Sequence, residues 1–390
     1  MRTLVGALKA SLTRSFLDRP QHVRLRRVLF QIHLWTGLIT GIYVVVVSLS
    51  GAALLFRPEM QKLAFGEYFT VPYDRLSTAD ATVVVSKLRA AYPDHRLLGI
   101  DWPTYRRDTF LAYLTKGREL RTVLAHPVSG TVLGELPRTS WISQLQDLHF
   151  NLLGGETGRT VNGLGACAVL ALCLTGLVVW WPGVTRWTRS LRVEISRGWK
   201  RSNWDLHSAA GFWLFAWLGL WAVTGVEFAF PQQFRAAGSA ISPLTVVRPP
   251  LSSVQLKNAG TPPEPRELIA RAQQALPNAH LARLVYPSSD TAPYLVLLAR
   301  DIHGDLDTSD EVSFYFDQYS GALLERRDNE RRPRTAGDRL MATLGPLHIA
   351  SFAPPGVGGL AVKALWALIA LGFPLLVVTG AIMWWNRNHP

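Results

Sequence analysis

The sequence has almost no cysteine. Its two, Cys167 and Cys173, lie six residues apart inside one apolar run, so on a helix they point in different directions. A disulfide framework and a cysteine metal cluster are therefore excluded, and both thiols read as small core residues. No Cys-x-x-Cys-His occurs, which excludes covalent haem attachment of the c type. A nicotinamide or flavin fingerprint is missing too. The GVGGLA run at 356–361 does not follow a strand within a βαβ unit.

Charge is absent from four long stretches. Residues 28–56 and 161–182 contain no Lys, Arg, Asp or Glu, 206–230 contain only Glu227, and 360–385 contain only Lys363. Each is longer than the roughly 20 residues a helix needs to cross about 30 Å of hydrocarbon. Four transmembrane helices are predicted. The first run is too long for a signal-peptide core and lacks a small-residue cleavage site, so it reads as an uncleaved anchor.

The charge that is present is unevenly placed. The net value is +13, which alone would suggest nucleic acid. Residues 1–27 carry seven basic side chains against one acid (+6), and 183–205 carry six against two (+4). Both stretches flank apolar runs, which is the positive-inside pattern and not a nucleic-acid face. The expected topology has a cytoplasmic N-terminus (1–27), loop (183–205) and tail (386–390). The segments 57–160 and 231–359 then face outward. Trp180, Trp181, Trp187, Trp199, Trp204, Trp384 and Trp385 would form an aromatic belt at the inner boundary.

The chain is internally duplicated. His33 is followed by Ser50-Gly51 and His207 by Thr224-Gly225, with the glycine 18 positions on in both cases. Gly37 and Gly211 each lie four residues after their histidine. Thr175-Gly176 leads to Trp180-Trp181, and Thr379-Gly380 leads to Trp384-Trp385 with the same spacing. The outer segments also match. Tyr92-Pro93 precedes Trp102-Pro103 by ten residues, as Leu276-Pro277 precedes Tyr286-Pro287. HPVSG ending at Gly130 corresponds to DQYSG ending at Gly321. Each outer segment reads as a helix (78–92; 264–276) followed by strands (109–116, 121–126; 293–299, 312–316). Turns at 127–130 and 318–321 continue each into a hairpin, at 131–135 and 322–325. Two small periplasmic α+β domains are predicted, with 231–263 and 326–340 as connections.

Four histidines occupy matching places in this repeat. His33 and His207 open the two outward-running helices, while His149 and His348 precede the two returning ones. Ligating side chains at a membrane boundary are costly and usually functional. Topology pairs them as His33 with His207 on the cytoplasmic side and His149 with His348 on the periplasmic side. Such bis-imidazole pairs suit the axial positions of b-type haem. A zinc or copper site is the metal alternative, but no further Cys, Asp or His accompanies either pair at close spacing. Simple burial would account for one such histidine better than for four. An axial imidazole also needs a partner for its other nitrogen, which the sequence does not name. His22, His95, His126, His280, His303 and His389 read as solvated.

Eighteen residues is five helical turns, so Gly51 shares a face with His33, and Gly225 with His207. These glycines, with Gly176 and Gly380, would let a cofactor lie close to the backbone; helix packing is the other reading. Arg26, Arg27, Lys200 and Arg201 inside, and Arg159 outside, are candidates to meet haem propionates. Trp213, Trp217, Trp221 and Trp366 are candidate intermediates between two cofactors, or packing and lipid-facing residues.

With these residues in view, the chain resembles the PepSY-associated transmembrane family over nearly its whole length. Within that family it is similar to inner-membrane siderophore reductases of the ferrioxamine type. The resemblance rests on His33, His149, His207, His348, the four [Ser/Thr]-Gly pairs and the SG hairpins. It implies four membrane helices with two PepSY-like periplasmic domains, two haem b, and a bacterial inner-membrane location. It also implies reduction of ferric siderophores on the periplasmic side, with electrons from an external donor such as a quinol or a cytoplasmic reductase. A membrane-anchored PepSY module that binds without redox chemistry is the competing expectation. A transporter fits poorly, since the spans lack broken helices and a midplane charge cluster.

Overall fold

The computed structural model describes residues 23–66, 71, 79–103, 109–117, 119–245, 248–254, 263–300, 310–328, 335–354 and 356–389. His22, His303 and most of the basic N-terminal stretch lie outside them. In chain order the helices are α1 (Arg24–Leu54), α2 (Arg57–Ala64), α3 (Ala81–Ala91), α4 (Trp141–Asn151), α5 (Gly155–Trp180), α6 (Trp199–Ala229), α7 (Pro231–Ile241), α8 (Pro265–Ala275), α9 (Ala336–Ile349) and α10 (Val357–Asn388). The strands are β1 (Arg96–Asp101), β2 (Phe110–Lys116), β3 (Glu119–Ala125), β4 (Val132–Leu136), β5 (His280–Val285), β6 (Tyr294–Ala299), β7 (Glu311–Phe316) and β8 (Leu323–Asp328).

Four helices are long and apolar enough to cross a membrane: α1, α5, α6 and α10, of 31, 26, 31 and 32 residues. Their outward faces are apolar as well as their packed ones. Ile39 and Ile42 on α1 are 79% and 81% exposed, and Leu368 on α10 is 68% exposed. A helix that is hydrophobic all round belongs in lipid, because water would penalise both faces. The four form a closed ring. α1 packs against α5 and α10, and α6 packs against the same two, so α1 and α6 stand diagonally. Val44, Val169, Cys173, Ala222 and Phe373 meet in the middle of the bundle. The helices extend past the apolar runs read from sequence, starting at Arg24, Gly155, Trp199 and Val357.

The other compact unit comprises Arg57–Ser143 and Pro243–Arg339. It contains a single eight-stranded antiparallel sheet in the order β4-β3-β2-β1-β5-β6-β7-β8. Each predicted α+β segment supplies four strands and one covering helix, α3 or α8. The sequence reading counted two small domains, but the strands of both join through β1 and β5. Ile100 pairs with Leu284 and Asp101 with Arg283 across that seam. Gly99 permits the join, since a Cβ there would stand 2.9 Å from the Leu284 carbonyl oxygen. Phe110, Phe314, Phe316, Leu88 and Leu268 are fully buried between sheet and helices.

The duplicated turns are built alike. Gly130 and Gly321 adopt φ of 68° and 69°, a conformation glycine takes without steric penalty. In the first turn His126 Nδ1 accepts from the Val128 and Ser129 amides at 3.2 Å each. In the second, Asp317 Oδ1 accepts from Tyr319 (3.0 Å) and Ser320 (2.7 Å). His126 is thus a turn-capping residue, not a solvated one, and Asp317 does the same work as a carboxylate.

Candidate functional site

The four histidines are placed by the ring of long helices and two short ones. His33 lies on α1 and His207 on α6. His149 lies on α4, just before α5, and His348 on α9, just before α10. Neither short helix runs on directly into the next long one. Leu152 and Leu153 follow α4 with φ of 48° and 59°, and Ala350 follows α9 with φ of 53°. Left-handed conformations cost a non-glycine residue of order 1 kcal/mol or more, so surrounding contacts must hold them. Those contacts are present. Asn162 Nδ2 on α5 donates to the carbonyls of His149 (2.8 Å) and Phe150 (3.0 Å). Tyr43 donates to Asn162 Oδ1 at 2.9 Å, which orients the amide. On the other side, the indole nitrogens of Trp221 and Trp366 donate to the carbonyls of His348 and Leu347, both at 2.9 Å. These bonds satisfy carbonyls that a helix end would otherwise leave without partners.

Each imidazole is then bonded through Nδ1 to the hydroxyl of one [Ser/Thr]-Gly pair. His33 meets Thr175 at 3.1 Å and His207 meets Thr379 at 2.9 Å. His149 meets Ser50 at 3.1 Å and His348 meets Thr224 at 2.6 Å. The direction of these bonds follows from the hydroxyls' other contacts. Ser50, Thr175, Thr224 and Thr379 donate to the carbonyls of Val46, Ala171, Leu220 and Leu375, at 2.7, 2.7, 2.8 and 2.7 Å. A hydroxyl has one proton, so each oxygen is left to accept from Nδ1–H. His149 Nδ1 also donates to the Val47 carbonyl at 3.0 Å, and a carbonyl can only accept. All four rings therefore carry the proton on Nδ1 and the lone pair on Nε2. Among the described residues no protein group bonds any of the four Nε2 atoms.

The rings also come together in pairs. The centroids of His149 and His348 are 6.3 Å apart, with ring planes at 63°. His33 lies within electrostatic reach of His207. His33 and Ser50 stand 17 positions apart on α1, so the two levels are separated by about 25 Å at 1.5 Å per residue. Among the described residues no group of three or more His, Cys, Asp and Glu side chains could share a metal ion.

The glycines have a different neighbour from the one expected. A Cβ on Gly51 would stand 2.7 Å from His149 Cε1, one on Gly176 3.0 Å from His33 Cε1, and one on Gly380 3.1 Å from His207 Cε1. They make room for an imidazole edge. Gly225 departs from this pattern and faces Ala166 Cβ at 3.1 Å. The sequence pattern therefore pointed to the right positions but not to the hydroxyl beside each glycine. Asn162 was missed as well, as a lone polar residue at the start of an apolar run.

The basic candidates divide. Arg26 Nη2 donates to the Val179 carbonyl at 2.6 Å, and among the described residues its buried Nε has no acceptor. Among the same residues the buried indole N–H groups of the neighbouring Trp180 and Trp181 have none either. Arg201 pairs with the buried Asp205 at 2.9 Å, Arg159 donates to the Phe228 carbonyl, and Arg27 and Lys200 are exposed. Of the tryptophans, Trp217 packs edge-on against Trp366 at 5.1 Å, Trp221 lies beside them, and Trp213 is exposed.

Residues 30–387 match the model of the PepSY-associated TM region. The chain is also 28% identical over 268 residues to an uncharacterised protein of Pseudomonas aeruginosa, PA4219; the match covers 63% of this chain and 63% of that protein. The four apolar helices and this family match together make the chain a membrane protein that belongs to the PepSY-associated transmembrane family.

Proposed function

We propose that this chain is a di-haem b electron carrier of the bacterial inner membrane that reduces ferric siderophores, of the hydroxamate or ferrioxamine type, on the periplasmic side. The observation that carries the reading is the fourfold Nδ1–hydroxyl bond, which leaves four Nε2 lone pairs available to a metal. The far pair has fitting dimensions. Imidazole–metal bonds are about 2 Å long, so two rings on opposite sides of one metal have centroids about 6 Å apart, against the 6.3 Å between His149 and His348. Among the described residues no third His, Cys, Asp or Glu joins either pair to complete a zinc site, so the two imidazoles would suit a metal already held by a porphyrin.

Bound haem takes up and releases one electron at a time. The chain's own part is to hold and to insulate. His33 and His207 would grip one group at the cytoplasmic level, and His149 and His348 another at the periplasmic level. The unpartnered donors of Arg26, Trp180 and Trp181 suit a propionate carboxylate at the inner level. Aromatic packing of Trp217, Trp221, Trp366 and Phe373 lies between the levels and excludes water. The donor, a quinol or a cytoplasmic reductase, supplies the electron. One electron passed to an Fe(III) chelate yields Fe(II), which hard oxygen ligands hold less well.

Anaerobic stopped-flow mixing of the reduced full-length protein with a panel of ferric siderophores tests this. Rapid reoxidation by one class of chelate, with Fe(II) trapped by a ferrous chelator, is expected. Reduced protein that no ferric chelate reoxidises would contradict the reductase role. A second reading, a binding module without redox chemistry, is favoured by the continuous eight-stranded sheet, whose core owes nothing to the histidines. A colourless preparation from haem-replete cells would select it.

A further inference from the structure

The four hydroxyl–imidazole bonds are not equally backed. His149 Nδ1–H has two acceptors, Ser50 Oγ at 3.1 Å and the Val47 carbonyl at 3.0 Å. His33 and His207 bond Thr175 at 3.1 Å and Thr379 at 2.9 Å. For His149 the second acceptor is the carbonyl three residues before the hydroxyl. His348 differs. Among the described residues its Nδ1–H has one acceptor, Thr224 Oγ1, at the short distance of 2.6 Å.

Thr224 is itself rigidly held. It is fully buried, and its hydroxyl proton is committed to the Leu220 carbonyl at 2.8 Å. Three residues earlier on the same helix, Trp221 holds the backbone carbonyl of His348. Residues three apart share a helix face, so one turn of α6 grips His348 at both its main chain and its ring. The aromatic rings beside it, Phe228 at 5.1 Å and His149 at 6.3 Å, offer Nδ1 no acceptor.

We infer that Thr224 is the positioning residue of the far pair: its hydroxyl alone sets the tautomer and the orientation of His348, while His149 keeps a second acceptor in the Val47 carbonyl. A buried N–H without a partner is strongly disfavoured. Without the hydroxyl, the His348 proton moves to Nε2 or the ring turns, and either change removes the Nε2 lone pair that the pair would offer a metal. As a statement about electron transfer, the inference rests on the di-haem reading. As a statement about the tautomer it does not.

The test compares Thr224→Val, which keeps the shape, with Thr224→Ser, which keeps the hydroxyl, in full-length protein. Haem per chain and low-spin spectra are measured, together with imidazole ¹⁵N shifts in haem-free, ¹⁵N-histidine-labelled protein. Wild type is expected to show His348 as the Nδ1–H tautomer. Thr224→Val is expected to lose one of two haems or turn it high-spin, and to move His348 toward the Nε2–H tautomer. Thr224→Ser is expected to restore both properties. An Nε2–H tautomer at His348 in wild type would overturn the inference without any variant. So would a Thr224→Val protein with two unchanged haems. If wild type holds no haem yet Thr224→Val shifts the tautomer, the positioning role stands and the di-haem reading falls.

Discussion

The two halves of the bundle solve one problem with different side chains. In both, a histidine on the first long helix bonds a threonine near the end of the second, His33 to Thr175 and His207 to Thr379. In both, a histidine before the second long helix bonds a hydroxyl near the end of the first, His149 to Ser50 and His348 to Thr224. The main-chain supports diverge. Asn162 and Trp366 each stand 13 residues before the matching threonine. Asn162 holds the carbonyls of His149 and Phe150, whereas Trp366, with Trp221, holds those of Leu347 and His348. The common feature is the orientation of the imidazole, and the scaffold behind it varies. That pattern is expected where the ring nitrogen, and not the local packing, is the functional element.

The comparison breaks most severely at the histidines. His348→Ala and His149→Ala are each expected to remove one haem per chain and leave the other spectrally intact, as read by pyridine haemochrome and low-temperature spectra. Loss of neither haem would separate this pair from the cofactor. Next come the glycines. Gly51→Leu should displace His149 and abolish the far haem, because a Cβ alone would stand 2.7 Å from that ring. Gly225→Ala faces only a methyl group and should retain it, so equal damage from both would show that the glycines serve helix packing. Smaller effects are expected at the unlike supports. Asn162→Ala leaves two carbonyls without their donor and should lower thermal stability by about 1–3 kcal/mol. Trp366→Phe leaves one and should cost less.

The smallest effect belongs to the sheet unit. Bonds from Thr245 and Thr335 hold the Asp338 carboxyl well below the usual carboxylate range. A depressed folded value means its stabilisation is complete above the unfolded value near pH 4 and declines as pH falls below that. Asp338→Asn should therefore destabilise most at neutral pH and progressively less as pH falls below about 4, read by amide exchange around Thr245.

Legibility in the sequence tracked duplication. Four histidines, four [Ser/Thr]-Gly pairs and two SG turns were visible because each occurs twice in register. The apolar runs, α3, α8 and six of the strands followed from hydropathy and turn chemistry. β1 and β5 were not legible, because register shifts at Leu97/Gly99 and Leu281/Arg283 break their alternation. They are the strands that fuse two expected domains into one sheet. α4 and α9 were hidden where the outer segments meet the apolar runs, and α9 also by Pro346 within it. The second-nitrogen partner of each imidazole was present in the pattern as the residue before each glycine. Only the packing of α1 on α5, of α6 on α10, and of α4 and α9 on α1 and α6 shows that the hydroxyl, not the glycine, makes the bond.

The central claim is that the four Nε2 atoms hold iron porphyrin two by two. The most direct measurement is the haem-to-chain ratio of the purified full-length protein, with its spin state in both oxidation states. Two non-covalent b-type haems per chain, low-spin whether oxidised or reduced, are predicted. A chain from haem-replete cells with no haem, or with only high-spin haem, would contradict the account.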